Sequence, residues 1–404
     1  MSAATSAPRS ASDPVVIVAL SRTPMGGLMG ELGAVKATEL GATAIRGALG
    51  QIALDPAGID ETIMGCVLPA GQGQAPARQA AKAAGVPDST GAVTINKMCG
   101  SGMKAVMQGA DAIAAGSAAV VLAGGMESMT NAPFLMLDHR SGHKYGHTRV
   151  YDHMALDGLE DAYEPGRAMG TFAENTASHY QFTREAQDAY AIASVERARR
   201  AVDEGWFDAQ ITPVTVTTRK GDHRVERDEQ PAKARPEKIP TLRPAFAKDG
   251  TVTAASSSSI SDGAAALVLM ARSEAERRGL APIATLCGHA THAQAPEWFT
   301  TAPVGALRTL FERTGWQPSD VDLYEINEAF AVVPMAAMRE LSLPHDVVNV
   351  HGGACALGHP IGASGARILV TLIHALKQAG ARRGVASLCI GGGEATAMAV
   401  ELAA

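Results

Sequence analysis

The chain has 404 residues, of which 46% are hydrophobic, 4% are aromatic and 42 are glycines. A chain of this length buries a large core, and small aliphatic residues with many glycine turns are typical of α/β proteins with buried strands. The net charge of −6 argues against a general nucleic-acid surface. No apolar run reaches the ~20 residues that span a bilayer, and residues 1–14, which lack a signal-peptide core, are interpreted as a tail.

The cysteines are few and widely spaced, and no pair has the C-x-x-C spacing of a metal site; they are Cys66, Cys99, Cys287, Cys355 and Cys389. An odd number of scattered cysteines predicts reduced thiols and a cytoplasmic location. His351, Cys355 and His359 have a spacing that suits zinc on a helix. The segment HGGACALGH is too rich in glycine for a stable helix, so no metal site is predicted there.

The first part of the chain alternates apolar strands with helices. Strands are predicted at residues 14–20, 61–68, 93–96 and 118–123, and helices at residues 40–50, 75–84 and from the turn after residue 96 to residue 115. Gly116 follows the last helix, where glycine commonly ends one. This alternation predicts right-handed crossovers and a layered sheet.

The texture changes between residues 130 and 255, where charged residues and loops increase, and this segment is predicted to be an insertion. It contains an amphipathic helix at residues 183–206, with Thr183 as the N-cap. The small-residue texture then returns and ends in a strand near residue 271. Later strands are predicted at residues 283–288, 321–326, 347–351 and 385–390, and helices at residues 302–314 and 361–379. The predicted domains are residues 1–129 with 256–279, residues 130–255, and residues 280–404.

The two core halves have the same internal plan. Each contains a strand, a glycine turn, a reactive residue at a helix start, and a strand that ends in a glycine cluster. The reactive residue is Cys99 in the first half and His359 in the second. The clusters are Gly124 with Gly125, and residues 391–393. A duplication with pseudo-twofold symmetry would bring the two helix starts together.

Cys99 is the first candidate for catalysis. A helix N-terminus carries unpaired N–H groups and a partial positive charge, which favour a thiolate with a lowered pKa. The alternative is a small buried hydrophobic residue. His359 is a candidate base and Cys389 a second thiol, whereas the alternatives are a capping or core histidine and a buried strand cysteine. Asn327 with Glu328 is either part of the site or a helix cap.

Seven motifs occur in the order found in the thiolase family, and the chain resembles that family from about residue 14 to residue 402. The motifs are NKMCGSGMKAV, GGMESMTNAP, LRPAF, TVTA…SDGAAA, NEAFA, GHPIGASGAR and CIGGG. Any one of them is weak evidence, whereas all seven in order are specific. The resemblance implies a duplicated αβαβα layered fold with an inserted loop domain.

The resemblance also implies roles for these residues. Cys99 would take an acetyl group as a thioester, His359 would activate Cys99, and Cys389 would move the proton at the α-carbon of a second acetyl-CoA. One oxyanion hole would come from His359 and a water held by Asn327. The other would come from the backbone N–H groups of Cys99 and Gly391. No metal or redox cofactor is implied, because coenzyme A is itself a substrate.

The remaining implied positions concern coenzyme A, the acyl group and assembly. Ser258 matches a serine near the pantetheine, and the acyl pocket matches Phe246, Met169, Phe330, Phe299 and Ala168. The alternatives are a plain serine-rich linker and ordinary core packing. The insertion would cover coenzyme A. Residues 134–150 resemble the loop that joins subunits into a homotetramer, with no nucleic-acid or membrane partner.

Several positions depart from the family pattern. Ala168 replaces a histidine and Phe299 a methionine, which leaves the acyl preference open; His351, Cys355 and Glu394 have no assigned role. The expected reaction joins two acetyl-CoA molecules to acetoacetyl-CoA, and the nearest alternative is a degradative 3-ketoacyl-CoA thiolase for longer or branched chains. A decarboxylating ketosynthase would not need Cys389. A non-catalytic coenzyme A-binding protein would not need Cys99, His359 and Asn327 together with it.

Overall fold

The structure is a computed structural model, and it describes residues 13–219 and 221–403. The N-terminal tail lies outside these residues up to residue 12. The strands are β1 (Val15–Arg22), β2 (Gly26–Gly27), β3 (Glu61–Gly65), β4 (Gly91–Ile95), β5 (Val120–Ser128), β6 (Phe134–Leu135), β7 (Tyr151–Asp152), β8 (Val214–Thr218), β9 (Gly221–Val225), β10 (Ser261–Ala271), β11 (Ala284–Ala293), β12 (Leu323–Ile326), β13 (Arg383–Ile390) and β14 (Glu394–Leu402).

The helices occupy the segments between these strands. They are α1 (Ala37–Leu49), α2 (Pro76–Ala83), α3 (Ser101–Ala115), α4 (Gly170–Tyr180), α5 (Arg184–Asp203), α6 (Glu229–Lys233), α7 (Arg272–Arg277), α8 (Ala302–Thr314), α9 (Val332–Leu341), α10 (Ala354–Leu357) and α11 (Ser364–Ala379). The cap prediction for α5 is confirmed, because the Thr183 hydroxyl accepts the N–H of Ala186. Gly116 ends α3 in the left-handed conformation, with φ of 76°.

The main sheet shows the duplication directly. Its order is β12-β13-β14-β11-β1-β10-β5-β3-β4, with β2 added beside β10. In the first half, β3 pairs in parallel with β4 and β5, and β5, β10 and β1 continue antiparallel. In the second half, β12 and β13 are parallel, and β13, β14 and β11 continue antiparallel. Pairing between β1 and β11 joins the halves.

One predicted strand is wrong. Residues 347–351 form only a single parallel bridge, between Val348 and Tyr324 of β12. This bridge occupies the place that β4 holds in the first half. The chain preceding it turns through a short 3-10 helix, His345–Val347, after Pro344, so few residues remain extended. The hairpin of β8 with β9 and the strand β14 had not been predicted.

Helices cover both faces of the two half-sheets. α1 and α2 pack on the outer face of the first half, α8 and α9 on the outer face of the second, and α3 and α11 lie between the halves. Side chains of β1 alternate accordingly: Val16 and Val18 face the outer core, whereas Ile17 and Leu20 face the central one. The buried strands therefore read as apolar runs. The layered α/β fold is as predicted, and it places the starts of α3 and α11 in contact.

None of the helices in residues 13–219 and 221–403 combines the length and apolar character that crossing a lipid bilayer requires.

Candidate active site

A tight turn holds Cys99 between β4 and α3. Met98 has a φ of 44°, which is uncommon for a residue with a side chain. The Asn96 side chain accepts the Met98 N–H at 2.9 Å. The Ser101 hydroxyl accepts the Lys97 N–H at 2.8 Å and donates to the Met98 carbonyl at 2.6 Å. These bonds offset the backbone strain and place Cys99 at the wall of a cavity.

The cavity has a volume of about 340 Å³ and is largely apolar. Seven of the predicted site residues line it: Cys99, His359, Gly391, Ser258, Met169, Phe330 and Phe299. The other four do not line it. Cys389 is completely buried, Asn327 is 1% exposed, and Phe246 contacts the edge of Phe330, with 5.8 Å between ring centroids. Ala168 bridges to Glu160, which does line the cavity.

The thiol of Cys99 differs from the prediction in its protonation. Burial raises its pKa to about 11, although the N–H groups of Gly391 and of Cys99 itself lower it, and the Glu127 charge raises it further. The expected thiolate is therefore wrong for the free chain, because loss of hydration outweighs the N–H groups. A protonated nucleophile needs a base beside it.

The hydrogen bonds of His359 define which nitrogen is available as a base. The Ser364 hydroxyl donates to the Pro360 carbonyl at 3.0 Å, so it accepts from His359 Nδ1, 2.6 Å away. His359 Nε2 is buried, has no partner among the described residues, and belongs to a side chain that lines the cavity. Burial, followed by the Arg367 charge, lowers the pKa of His359 to about 3. The imidazole is thus neutral, with an open acceptor.

Cys389 lies in β13, two residues before Gly391, at the end of the strand nearest Cys99. Burial raises its pKa well above the ordinary thiol value, the Cys99 charge adds to this, and its own N–H acts in the opposite direction. The effect of one sulfur on the other indicates that the two thiols are close. A thiol that holds its proton at rest is an acid first and becomes a base after it has given that proton away.

Asn327 follows β12 and is held by two neighbours. Arg367 Nη2 donates to its Oδ1 at 3.4 Å, and its Nδ2 lies 3.5 Å from His359 Nδ1. Because Arg367 engages the amide oxygen, the amide hydrogens face the histidine side of the site. The helix-cap alternative fails, since the next helix, α9, begins at Val332.

Glu328 belongs to a buried polar network that no sequence motif predicts. Its carboxylate accepts from Tyr190 at 2.9 Å, Ser194 at 2.7 Å and Asn349 at 2.9 Å. The N–H of Cys355 completes the set at 3.0 Å. The network connects α5 of the insertion to the segment that carries Asn327. Its only sequence signal was the acidic residue beside that asparagine.

The insertion also contributes part of the cavity wall. A π-helical turn, Ala155–Leu159, and the following acidic residues Glu160 and Asp161 line it. No motif had pointed to this stretch. The serines of the predicted linker have different roles. The Ser257 hydroxyl donates a hydrogen bond to the Thr253 carbonyl at 2.7 Å, whereas Ser258 lines the cavity.

Three positions that depart from the family pattern have no assigned role, and none of them lines the cavity: His351, Cys355 and Glu394. The ring of His351 packs on Trp206, with 4.9 Å between centroids, and on Phe207. Cys355 contacts the Glu328 carbonyl through its thiol. Glu394 forms an ion pair with Lys97, which joins the turn of Cys99 to the start of β14.

Replacing His351 by asparagine is expected to reduce the loss of stability in acid. Burial, followed by the Arg200 charge, lowers the folded pKa of His351 to about 4. Below the unfolded pKa of about 6.5 the unfolded chain binds the proton more readily, so stability falls as the pH falls. The loss between pH 7.5 and pH 5 is about 2 kcal/mol for one such group. Urea denaturation at both pH values measures it.

The matched control is Cys355→Ala, because the raised pKa of that thiol leaves it protonated over the whole range. The variant should keep the wild-type difference between the two pH values. His374→Asn should act like the His351 variant, since burial lowers its pKa to about 4 as well. If the His351→Asn variant loses as much stability between pH 7.5 and pH 5 as the unchanged protein, the folded pKa of His351 is not lowered.

Comparison with known proteins agrees with the fold. Residues 15–273 match the thiolase N-terminal domain, and residues 280–402 match the thiolase C-terminal domain. The chain therefore belongs to the thiolase family. Its relatives include the acetyl-CoA acetyltransferase of Cupriavidus necator, 47% identical over 96% of this chain and 99% of the relative. Acetyl-CoA acetyltransferase 2 of Arabidopsis thaliana is 48% identical over 96% and 97%.

Solved structures give the same result. The acetyl-CoA acetyltransferase of Bacillus anthracis superposes with a TM-score of 0.94 at 40% identity, over 97% of this chain and 99% of that one. The Acat5 thiolase of Ascaris suum, solved in complex with coenzyme A, has a TM-score of 0.91 at 43% identity, over 96% and 100%. The recognition of the family and the predicted fold class are confirmed.

Proposed function

We propose that the chain is an acetyl-CoA C-acetyltransferase, which condenses two acetyl-CoA molecules reversibly to acetoacetyl-CoA and coenzyme A. The observation that carries this is the convergence of Cys99, His359 and Gly391 on one apolar cavity, with Cys389 buried close to Cys99. The names of the acetyl-CoA acetyltransferase relatives, at 45–48% identity, support the same reaction.

The first half-reaction transfers the acetyl group to the enzyme. His359 Nε2 takes the proton of Cys99, and the thiolate attacks the thioester carbon of acetyl-CoA. The carbonyl oxygen becomes an oxyanion, which donors of the site stabilise. As the intermediate collapses, the bond to sulfur of coenzyme A breaks. Cys389 gives its proton to that sulfur, so free coenzyme A leaves and Cys389 remains as a thiolate.

The second half-reaction forms the carbon–carbon bond. The Cys389 thiolate removes a proton from the methyl group of a second acetyl-CoA, and the enolate attacks the carbonyl of acetyl-Cys99. The Cys99 thiolate leaves and recovers its proton from His359. All protons are then back in place, and the products are acetoacetyl-CoA and one coenzyme A. No cofactor is needed in this scheme beyond coenzyme A as a substrate.

Two oxyanion holes are proposed. The N–H groups of Cys99 and Gly391 would hold the carbonyl of acetyl-Cys99, and both already interact with the sulfur. The amide hydrogens of Asn327, through a bound water, and His359 would hold the enolate oxygen. This role is supported by the way Arg367 engages the other end of the asparagine amide.

The acyl pocket favours a short chain. Phe299 is 2% exposed and packs edge-on against Phe330 and Phe172, with 6.4 and 6.1 Å between ring centroids. These rings, with Met169 and Phe246, are proposed to limit the length of the acyl chain. Ser258 is proposed to contact the pantetheine.

The substrate assignment is tested by thiolysis with saturating coenzyme A and a series of 3-ketoacyl-CoA substrates of 4 to 16 carbons. Acetoacetyl-CoA is expected to turn over at least tenfold faster than the eight-carbon substrate, because Phe299 blocks extension. Phe299→Met is the matched variant and should narrow that ratio. Equal rates beyond four carbons in the unchanged protein would refute the short-chain assignment.

Assembly and domain roles complete the proposal. Residues 130–255 are proposed to cover coenzyme A, between a first core half of residues 1–129 with 256–279 and a second of residues 280–404. A homotetramer is proposed to form through residues 134–150, where several apolar side chains are exposed: Phe134, Met136, Leu137, Tyr145 and Val150. The five free cysteines fit the reducing cytoplasm.

A further inference from the structure

Glu127, at the end of β5, is a buried carboxylate that the reaction above does not use. It is 0% exposed and has no cationic partner among residues 13–219 and 221–403. Its hydrogen-bond donors are instead mainly backbone N–H groups. Oε2 accepts the N–H of Val67 at 2.9 Å and of Gly362 at 2.8 Å. Oε1 accepts the N–H of Leu68 at 3.1 Å and lies 3.5 Å from the Cys66 sulfur.

These donors come from different parts of the fold. Val67 and Leu68 follow β3 in the first half, whereas Gly362 lies three residues after His359 in the second half. The contact leaves no space: a side-chain carbon on Gly362 would lie 2.5 Å from Glu127 Oε2. One on Gly125 would lie 2.1 Å from the Gly362 carbonyl oxygen. The loop that carries His359 therefore packs directly against β5 of the first core half.

We propose that Glu127 is a positioning residue, which holds the His359 loop at hydrogen-bonding reach of Cys99 by accepting the Gly362 N–H. This inference rests on the proposed function. An apolar residue at this place would leave three buried N–H groups without partners. The loop would then shift, and a displacement of about 1 Å between base and nucleophile lowers turnover about a hundredfold.

The charge of Glu127 has a separate effect. Burial raises its pKa to about 7, and the N–H groups of Val67, Leu68 and Gly362 oppose this. Its charge in turn raises the pKa of Cys99. The titratable groups that interact with it are the thiols of Cys66 and Cys99. Removing the charge while keeping the acceptor should make Cys99 easier to ionise.

The arrangement of donors allows these two effects to be separated. A glutamine can keep its carbonyl oxygen at the Oε2 position, so Val67 and Gly362 remain satisfied and only the bond to Leu68 is lost. Its amide nitrogen then faces the Cys66 sulfur. Glu127→Gln thus removes the charge and keeps the anchor, whereas Glu127→Ala removes both.

The experiment measures turnover of acetoacetyl-CoA and the pH dependence of Cys99 alkylation by iodoacetamide for the two variants. Glu127→Ala is expected to lose about a hundredfold in kcat with little change in KM. Glu127→Gln should stay within a few-fold in kcat, and the midpoint of its alkylation profile should move to lower pH. Circular dichroism identifies any variant that does not fold, and the glutamine variant then carries the test.

Two results would overturn the proposal: a folded Glu127→Ala with wild-type kcat, or a Glu127→Gln that loses as much as the alanine variant. An alkylation midpoint that does not move in Glu127→Gln would contradict the charge effect. The alkylation experiment measures the ionisation of Cys99 in the absence of any acyl-CoA. Failure of the positioning role is thereby distinguishable from failure of the proposed reaction, which appears as absent turnover in the unchanged protein.

Discussion

Cys99→Ala is expected to abolish both condensation and thiolysis, and to leave the protein without a covalent acetyl group after incubation with acetyl-CoA. Among the described residues that line the cavity, Cys99 is the one thiol, so the loss should exceed about 10⁴-fold. Intact-protein mass spectrometry detects the acetyl adduct. The fold should persist, because an alanine replaces a side chain of nearly the same size.

Cys389→Ala separates the two half-reactions. Its Cys99 should still gain one acetyl group, more slowly because Cys389 no longer protonates the leaving sulfur, while condensation is lost, because no thiolate is left to take the α-proton. Cys287→Ala is the matched control, since Cys287 lies in β11 and does not line the cavity. An acetylated Cys99→Ala variant, or condensation by Cys389→Ala, would contradict the assignment of the two thiols.

His359→Asn is expected to slow acetylation of Cys99 by about 10²–10⁴-fold near neutral pH. The pKa of Cys99 is about 11, so without a base only ~10⁻⁴ of the thiol is ionised at pH 7. The thiolate fraction rises about tenfold for each pH unit. The defect should therefore shrink tenfold per unit as the pH rises from 7 to 9.5, which single-turnover acetylation can follow.

In the unchanged protein, the rate of Cys99 acetylation should not rise tenfold with each pH unit. The pKa of His359 is lowered to about 3, so the imidazole stays neutral and able to accept a proton above pH 5. His351→Asn serves as the control, because it removes a buried histidine that does not line the cavity. A defect in His359→Asn that stays constant with pH would mean that His359 does not act as the base for Cys99.

The order of elements could be predicted from residues alone, because it rests on local signals. Apolar runs such as β1 and β10 must be buried, and Thr183 and Gly116 mark helix ends through their own hydrogen bonds and backbone angles. The prediction of a strand at residues 347–351 was wrong because it, too, rested on local signals alone. An apolar run next to Asn349 and Gly352 resembles a strand locally, but pairing depends on a distant partner, and only Val348 reaches Tyr324.

The candidate site was predicted less evenly. Cys99, His359, Cys389 and Asn327 follow from glycine turns at strand ends and from the family motifs, and the structure brings them to one region. Glu127, Arg367 and the buried partners of Glu328 were not predicted, because the groups that these side chains contact are backbone N–H groups and side chains far away in the sequence. Such contacts leave no periodic or short-range pattern.

The sequence by itself determined the duplicated α/β fold, the family and the chemical types of the candidate reacting groups, since hydrophobic patterning and motifs are local. Only the tertiary structure decided their protonation. The turn before α3 predicted a thiolate at Cys99, but loss of hydration raises its pKa to about 11 and lowers that of His359 to about 3. Desolvation depends on every element packed around a group, and no single stretch of sequence carries that information.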